Sequence, residues 1–156
     1  MQKYIKLWLS IIFCLLAGAV GSLFTNPAIQ NWYTTINKPS FNPPNWIFGP
    51  VWTILFILMG ISLFLVWRKG LKKKDNKLFF VVFIIHLFVN ACWSLMFFGL
   101  GSPLAGFINI IILWIMILFL FWKSHHIDIR ASWLLLPYLL WVSFATVLNA
   151  SIWQLN

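Results

Sequence analysis

The side chains able to do acid–base, nucleophilic or metal chemistry are few in this chain, and they are not spaced for it. The only acids, Asp75 and Asp128, stand in polar stretches among basic residues, so no pair of carboxylates is placed to work as general acid and base. No Ser/His/Asp arrangement, phosphate-binding loop or dinucleotide fingerprint occurs. His125-His126 has no further ligand near it in sequence and reads as a solvated pair, so no metal site is expected. What the chain does carry is neutral polar and aromatic groups inside long apolar runs: Asn90, Cys92, Ser94, Asn109, Ser143, Thr146 and Asn149, with His86 as the one deep titratable side chain. A buried amide in hydrocarbon needs a partner. His86, Asn90, Trp93 and Phe97 fall on one helix face, and Tyr138, Trp141, Ala145 and Asn149 fall on another. Stripes of this kind pack helices together, and two of the same character also suit the walls of one cavity. The chemistry such a cavity offers is binding: stacking faces for a flat apolar molecule and a few N–H donors to orient it.

The elements that must position these residues are membrane spans. The chain is 62% hydrophobic and 8% charged, with 16 Phe and 11 Trp, against roughly 45–50% and about 25% in soluble domains. That composition excludes disorder and a small soluble enzyme. Apolar runs over 5–24, 47–67, 78–99, 104–122 and 132–153 are each long enough to cross a bilayer as a helix. The expected fold is therefore an all-α integral membrane protein, a single domain over 1–156 made of a bundle of five transmembrane helices. Cys14 and Cys92 lie inside these runs and act as small hydrophobes.

Five spans put the N-terminus and the second and fourth loops on one side. Lys3, Lys6, Arg68, Lys69, Lys72, Lys73, Lys74, Lys77, Lys123 and Arg130 all fall there, and only Lys38 lies opposite. The positive-inside rule then places the N-terminus in the cytoplasm and the C-terminus outside. The net charge of +9 is accounted for by topology, so no nucleic-acid partner is expected. Lys3, Lys6 and Ala17-Gly18-Ala19 imitate a secretory signal with its cleavage site, but the apolar run continues through Val20–Phe24, and the segment reads as an uncleaved first span.

Trp8, Trp67, Trp122 and Trp153 fit an interfacial belt, whereas Trp93, Trp114 and Trp141 lie at depth, with Trp52 just inside the second span. Gly18 and Gly21 let the first span approach a ligand or a neighbouring helix closely. Residues 25–46 hold Trp32-Tyr33 and the run Lys38-Pro39-Ser40-Phe41-Asn42-Pro43-Pro44-Asn45-Trp46, a stiff aromatic loop that reads as a lid.

These residues resemble a known family, the tryptophan-rich sensory proteins, whose mitochondrial relatives are the translocator protein or peripheral benzodiazepine receptor. The resemblance covers nearly the whole chain. It is carried by Trp32-Tyr33 with Lys38–Pro44, by Phe48-Gly49-Pro50-Val51-Trp52-Thr53, by Asn90-Ala91-Cys92-Trp93-Ser94 with Phe97-Phe98-Gly99, and by the run Pro137–Asn149. It implies a five-helix bundle, often a homodimer, in the cytoplasmic membrane of a bacterium. It also implies a pocket beneath the first loop for porphyrins and synthetic benzodiazepine-site ligands, with pocket positions carried over to Tyr33, Pro43, Trp52, Phe56, Asn90, Trp93, Trp141, Ala145 and Leu148. His86 and Asn149 join that set from the stripes above. No cofactor is required; a porphyrin, protoporphyrin IX or haem, is the expected ligand.

The function expected is that of a membrane-embedded binding protein: a sensor, scavenger or carrier. Two alternatives stay open. Some bacterial relatives promote light-dependent oxidative breakdown of protoporphyrin, which would give Trp52 and Trp141 a catalytic role. A structural assembly protein without a ligand would use the same polar groups as helix glue. Two departures stand out. Relatives usually have Gln at the position of His86, where an imidazole could ligate haem iron or, more simply, pack as a neutral ring. The sterol motif of animal relatives needs a Tyr and a basic residue near the end, and Ala150–Asn156 has neither.

Overall fold

The computed structural model describes residues 2–156, with the backbone alone for Gln2 and Lys3, so the Lys3 charge counted above lies outside the described side chains. Every regular element among the described residues is helical: α1 (Gln2–Gln30), a short α2 (Trp32–Thr35), α3 (Asn45–Trp67), α4 (Lys74–Ser94) running on into a π-helical turn (Leu95–Gly99), α5 (Pro103–Ile127) and α6 (Ile129–Leu155). Five of these helices are long and apolar enough to cross a membrane, so the five-helix transmembrane bundle expected from the apolar runs is the architecture observed. α1 packs on α3 and α4, α3 on α6, α6 on α5 and α5 on α4, which closes the bundle into a ring.

Two helices, α1 and α5, run well past the ends of their apolar runs. α1 continues through Thr25–Gln30 despite Pro27, and the Asn31 amide donates to the Pro27 carbonyl at 3.0 Å, satisfying one of the acceptors a helix end leaves open. The polar stretch after Trp122 is not a loop: α5 ends at Ile127, and Asp128 alone separates it from α6, its carboxylate accepting from the Arg130 N–H at 3.2 Å as an N-cap. α4 reaches Gly99 through the π turn, in which the Leu100 N–H donates to the Leu95 carbonyl at 2.8 Å. The wider turn carries Phe97 and Phe98 inward, where both are buried. Gly101 then turns the chain at φ +59°, with the Trp32 indole packed against the place a side chain would take.

Small residues set the crossings. A Cβ on Gly60 of α3 would meet the Ile11 backbone of α1, and one on Gly106 of α5 would meet Phe97. α1 and α3 are in close contact at Gly60 and again where Gly18 meets the Phe56 ring. Above Gly18 the two helices and α4 leave an open space, and that space is the candidate site.

Candidate functional site

The space is a chamber of about 520 Å³ bounded by the last turns of α1, the first turns of α3 and the second half of α4. Its volume lies within the range that ligand pockets usually occupy. Trp52 and Phe56 from α3 and Trp93 and Phe98 from α4 supply aromatic walls, and Asn90 and Ser94 add polar atoms. From α1 come Gly18 and Gly21, where bare backbone replaces a side chain, then Ser22 and Thr25. Asn26, Gln30, Asn45 and Trp46, all exposed, stand at the loop end. None of the described residues lining it is charged.

Trp52 is the hub of the aromatic wall. Its ring lies 5.7 Å from Phe56, 6.2 Å from Trp93 at an angle of 30°, and edge-on to Tyr138 at 6.2 Å. Trp93 stacks on Phe97 at 5.5 Å and is fixed at its polar end, where its indole N–H donates to Asn149 Oδ1 at 3.1 Å. Asn149 in turn donates to the Pro103 carbonyl at 3.0 Å. Asn90 donates through Nδ2 to the Tyr138 hydroxyl at 2.8 Å, which holds the amide at the chamber edge and leaves Oδ1 as an acceptor.

Behind Trp52 and Trp93 lies a second cavity of about 20 Å³, lined by Tyr33, Phe48, Trp141, Ala145, Leu148 and Asn149 among others. That is room for about one water molecule. The residues expected to form one pocket are thus divided by a partition: Phe56 and Asn90 face the large chamber, Tyr33, Trp141, Ala145, Leu148 and Asn149 face the small cavity, and Trp52 and Trp93 line both. The Trp141 indole N–H has no partner among the described residues. Trp114 belongs to neither space; its N–H donates to the Ser143 hydroxyl at 2.8 Å.

Pro43 and His86 also line neither space. His86 sits one helical turn from Asn90 toward the basic end, fully buried, with Phe83 edge-on at 4.7 Å and Tyr138 at 5.8 Å. Its Nδ1 lies 2.6 Å from the Phe83 carbonyl, so Nδ1–H donates to that oxygen and Nε2 is left without a partner among the described residues. No three His, Cys, Asp or Glu side chains gather as a metal site among the described residues.

The segment after α1 folds over the end of the bundle. Tyr33, buried, donates from its hydroxyl to Asn42 Oδ1 at 2.6 Å. Burial pushes its phenol up to about 12, against the pull of that hydrogen bond, so it stays neutral at physiological pH. Lys38 donates to the Tyr33 and Ile36 carbonyls at 2.5 and 3.1 Å and lies over the Tyr33 ring, so the one cation among the described residues at this end is occupied within its own loop. Asn37 N–H donates to Asn156 Oδ1, and Asn156 Nδ2 donates back to the Asn37 carbonyl, both at 2.9 Å, tying the segment to the end of α6. Phe41 meets Phe144 edge-on at 6.3 Å.

The α1 lining beyond Gly21 escaped sequence reasoning, as did Phe48, Asn45 and Phe98. A signal did exist: Gly18, Gly21, Ser22, Thr25 and Ile29 recur at helical spacing as one small, weakly polar face. It goes unread when Thr25 is taken as the start of a loop.

Fold and site together define a multi-pass α-helical membrane protein with an open aromatic chamber between three of its helices. The TspO/MBR family model matches residues 10–154, and the chain belongs to that family. It is 48% identical over 155 residues to the tryptophan-rich protein TspO of Chlorobaculum tepidum, covering 99% of this chain and 98% of that one. It is 46% identical to the tryptophan-rich protein TspO of Archaeoglobus fulgidus over 99% of both. With the translocator protein of Bos taurus it shares 30% identity over 90% of this chain and 84% of the other.

Proposed function

We propose that this chain binds porphyrins and similar flat apolar molecules in the chamber between α1, α3 and α4, as a sensor, scavenger or carrier in the cytoplasmic membrane of a bacterium. The observation that supports the reading most is the aromatic corner of Trp52 against Phe56 and Trp93, with the Asn90 amide beside it, facing an uncharged space of about 520 Å³. A macrocycle stacks on that corner while its carboxylates stay at the loop end among Asn26, Gln30 and Asn45, because no cation inside the chamber is there to take them. The unpartnered Trp141 N–H behind the partition offers a further donor to a ligand that displaces it. The residues after α1 act as a lid, and two copies pair in the bilayer. Protoporphyrin IX added to the purified protein in detergent should quench tryptophan emission saturably; a linear, unsaturable loss of emission contradicts binding.

His86 plays no part in this reading, because the chamber wall ends one turn away at Asn90. Haem and metal-free protoporphyrin should bind alike, and His86→Gln should leave both absorption spectra unchanged. A Soret shift specific to haem that vanishes in His86→Gln would assign the imidazole to iron instead.

A second reading is favoured by the run of rings from Trp93 through Trp52 and by Phe48 lying 6.2 Å from Trp141: bound protoporphyrin is photo-oxidised by dioxygen with the indoles assisting. A new absorbing species under light that forms more slowly in Trp52→Phe is its signature.

Orientation follows from ten basic residues against one. A reporter fused after Asn156 should be active outside the cytoplasm, and activity inside would reverse the assignment.

A further inference from the structure

At the end of the bundle opposite the chamber mouth, the corner after α3 meets the joint between α5 and α6. Asp128, with 3% of its side chain exposed, gathers three cations there. The Arg130 guanidinium donates from Nε to Oδ1 at 3.1 Å and from Nη2 to Oδ2 at 3.0 Å, while Lys69 Nζ lies 3.5 Å and Arg68 Nη2 3.9 Å from Oδ2. The Arg130 hydrogen bond, first among the causes, holds the Asp128 carboxyl below its ordinary range, so it is charged at neutral pH. One carboxylate against three cations leaves two positive charges uncompensated. The chain has one other acid, Asp75, and Lys123 occupies it at 2.7 Å.

Arg68 is the group left open. Its guanidinium makes no hydrogen bond among the described residues, since 3.9 Å to Asp128 is beyond hydrogen-bond reach, and its side chain is 30% exposed. It lies over the Phe64 ring, 5.9 Å from its centroid. The surroundings say what completes it. Trp67 ends α3 immediately before Arg68, and Ile129 and Trp133 on the first turns of α6 are exposed, so an apolar surface begins directly below the cations. An anion reaching this corner with hydrocarbon attached satisfies both.

We propose that Arg68, Lys69 and Arg130, arranged by Asp128, form a site for the phosphate of an anionic phospholipid in the leaflet at the basic end of the bundle. Arg68 presents N–H groups to the phosphate oxygens as a fork, and Lys69 and Arg130 add charge. Phosphatidylcholine brings its own cation and does not meet the surplus. Lys72, Lys73 and Lys74 contribute attraction at a distance but no fixed geometry, their side chains being exposed and without hydrogen bonds among the described residues.

Native mass spectrometry of the detergent-purified protein, titrated with phosphatidylglycerol and phosphatidylcholine of the same acyl chains, tests this. Retention of one phosphatidylglycerol per chain, roughly tenfold or more above phosphatidylcholine, is expected from about two unmatched charges near the surface. Equal retention of the two lipids by the unaltered protein overturns the proposal, whatever any variant does. Arg68→Gln should lower phosphatidylglycerol retention toward that of phosphatidylcholine, while Lys72→Gln with Lys73→Gln and Lys74→Gln, which removes more charge, should retain it. A triple-lysine loss as large as that of Arg68→Gln would mean a diffuse field and no site. Displacement of the lipid by inorganic phosphate would mean a soluble anion site and would also overturn the assignment to a lipid.

Discussion

Replacing Gly60 by alanine is expected to lower the thermal midpoint of the protein in detergent, the cost being about 1–3 kcal/mol. A Cβ at this position would stand 2.6 Å from Ile11 Cα and 3.0 Å from Ile11 N, and backbone atoms cannot rotate aside as a side chain can. Helix α1 would have to withdraw from α3 along the crossing that closes the foot of the chamber. Gly49→Ala is the matched control, because a Cβ there meets nothing within 4 Å. Helix propensity alone then favours alanine by up to about 1 kcal/mol. Opposite signs for two Gly→Ala changes in one helix are the expected result, read as midpoints on the same detergent-solubilised preparation. A Gly60→Ala protein as stable as the parent would mean that α1 and α3 do not cross there.

Asn149→Leu is expected to cost about 1–3 kcal/mol and to weaken protoporphyrin binding with it. The amide is 2% exposed and uses both ends, accepting from the Trp93 indole and donating to the Pro103 carbonyl. Leucine keeps the branched skeleton, somewhat enlarged, but strands the Trp93 N–H and the Pro103 carbonyl. The Trp93 ring, half of the partition between the two cavities, loses its anchor. Thermal midpoint and protoporphyrin titration on the same sample check both effects. If stability holds and binding alone falls, Asn149 touches the ligand and the partition reading is wrong.

Asn149 also shows what the sequence makes legible. Its place on a stripe with Tyr138, Trp141 and Ala145 follows from helical spacing, and the structure sets all four on the inward side of α6. Spacing says which face a residue occupies, not which partner takes its hydrogen bonds: the Asn149 amide bonds the Trp93 indole and the Pro103 carbonyl. The same limit applies to His86, on the stripe of Asn90 and Trp93 yet one turn below the chamber. The five long helices are readable because each apolar run is long enough to cross a bilayer. Their ends are not, because Thr25–Gln30 and Lys123–Ile127 are polar by composition while a helix continues until something caps it, as Asp128 does for α6. Losing the last turn of α1 as helix meant losing the side of the chamber it builds.

Protoporphyrin titration of Ser22→Phe tests most directly whether the ligand sits in the chamber. Ser22 lines the space from α1, so a phenyl ring there takes up volume the macrocycle needs, while Val20 two residues earlier is 49% exposed on the outside of the bundle. The affinity should fall by roughly tenfold or more, about 1.4 kcal/mol or greater, in Ser22→Phe and should stay at the parent value in Val20→Phe. Unchanged affinity in Ser22→Phe, with the fold intact by circular dichroism, would place the porphyrin elsewhere and contradict the account.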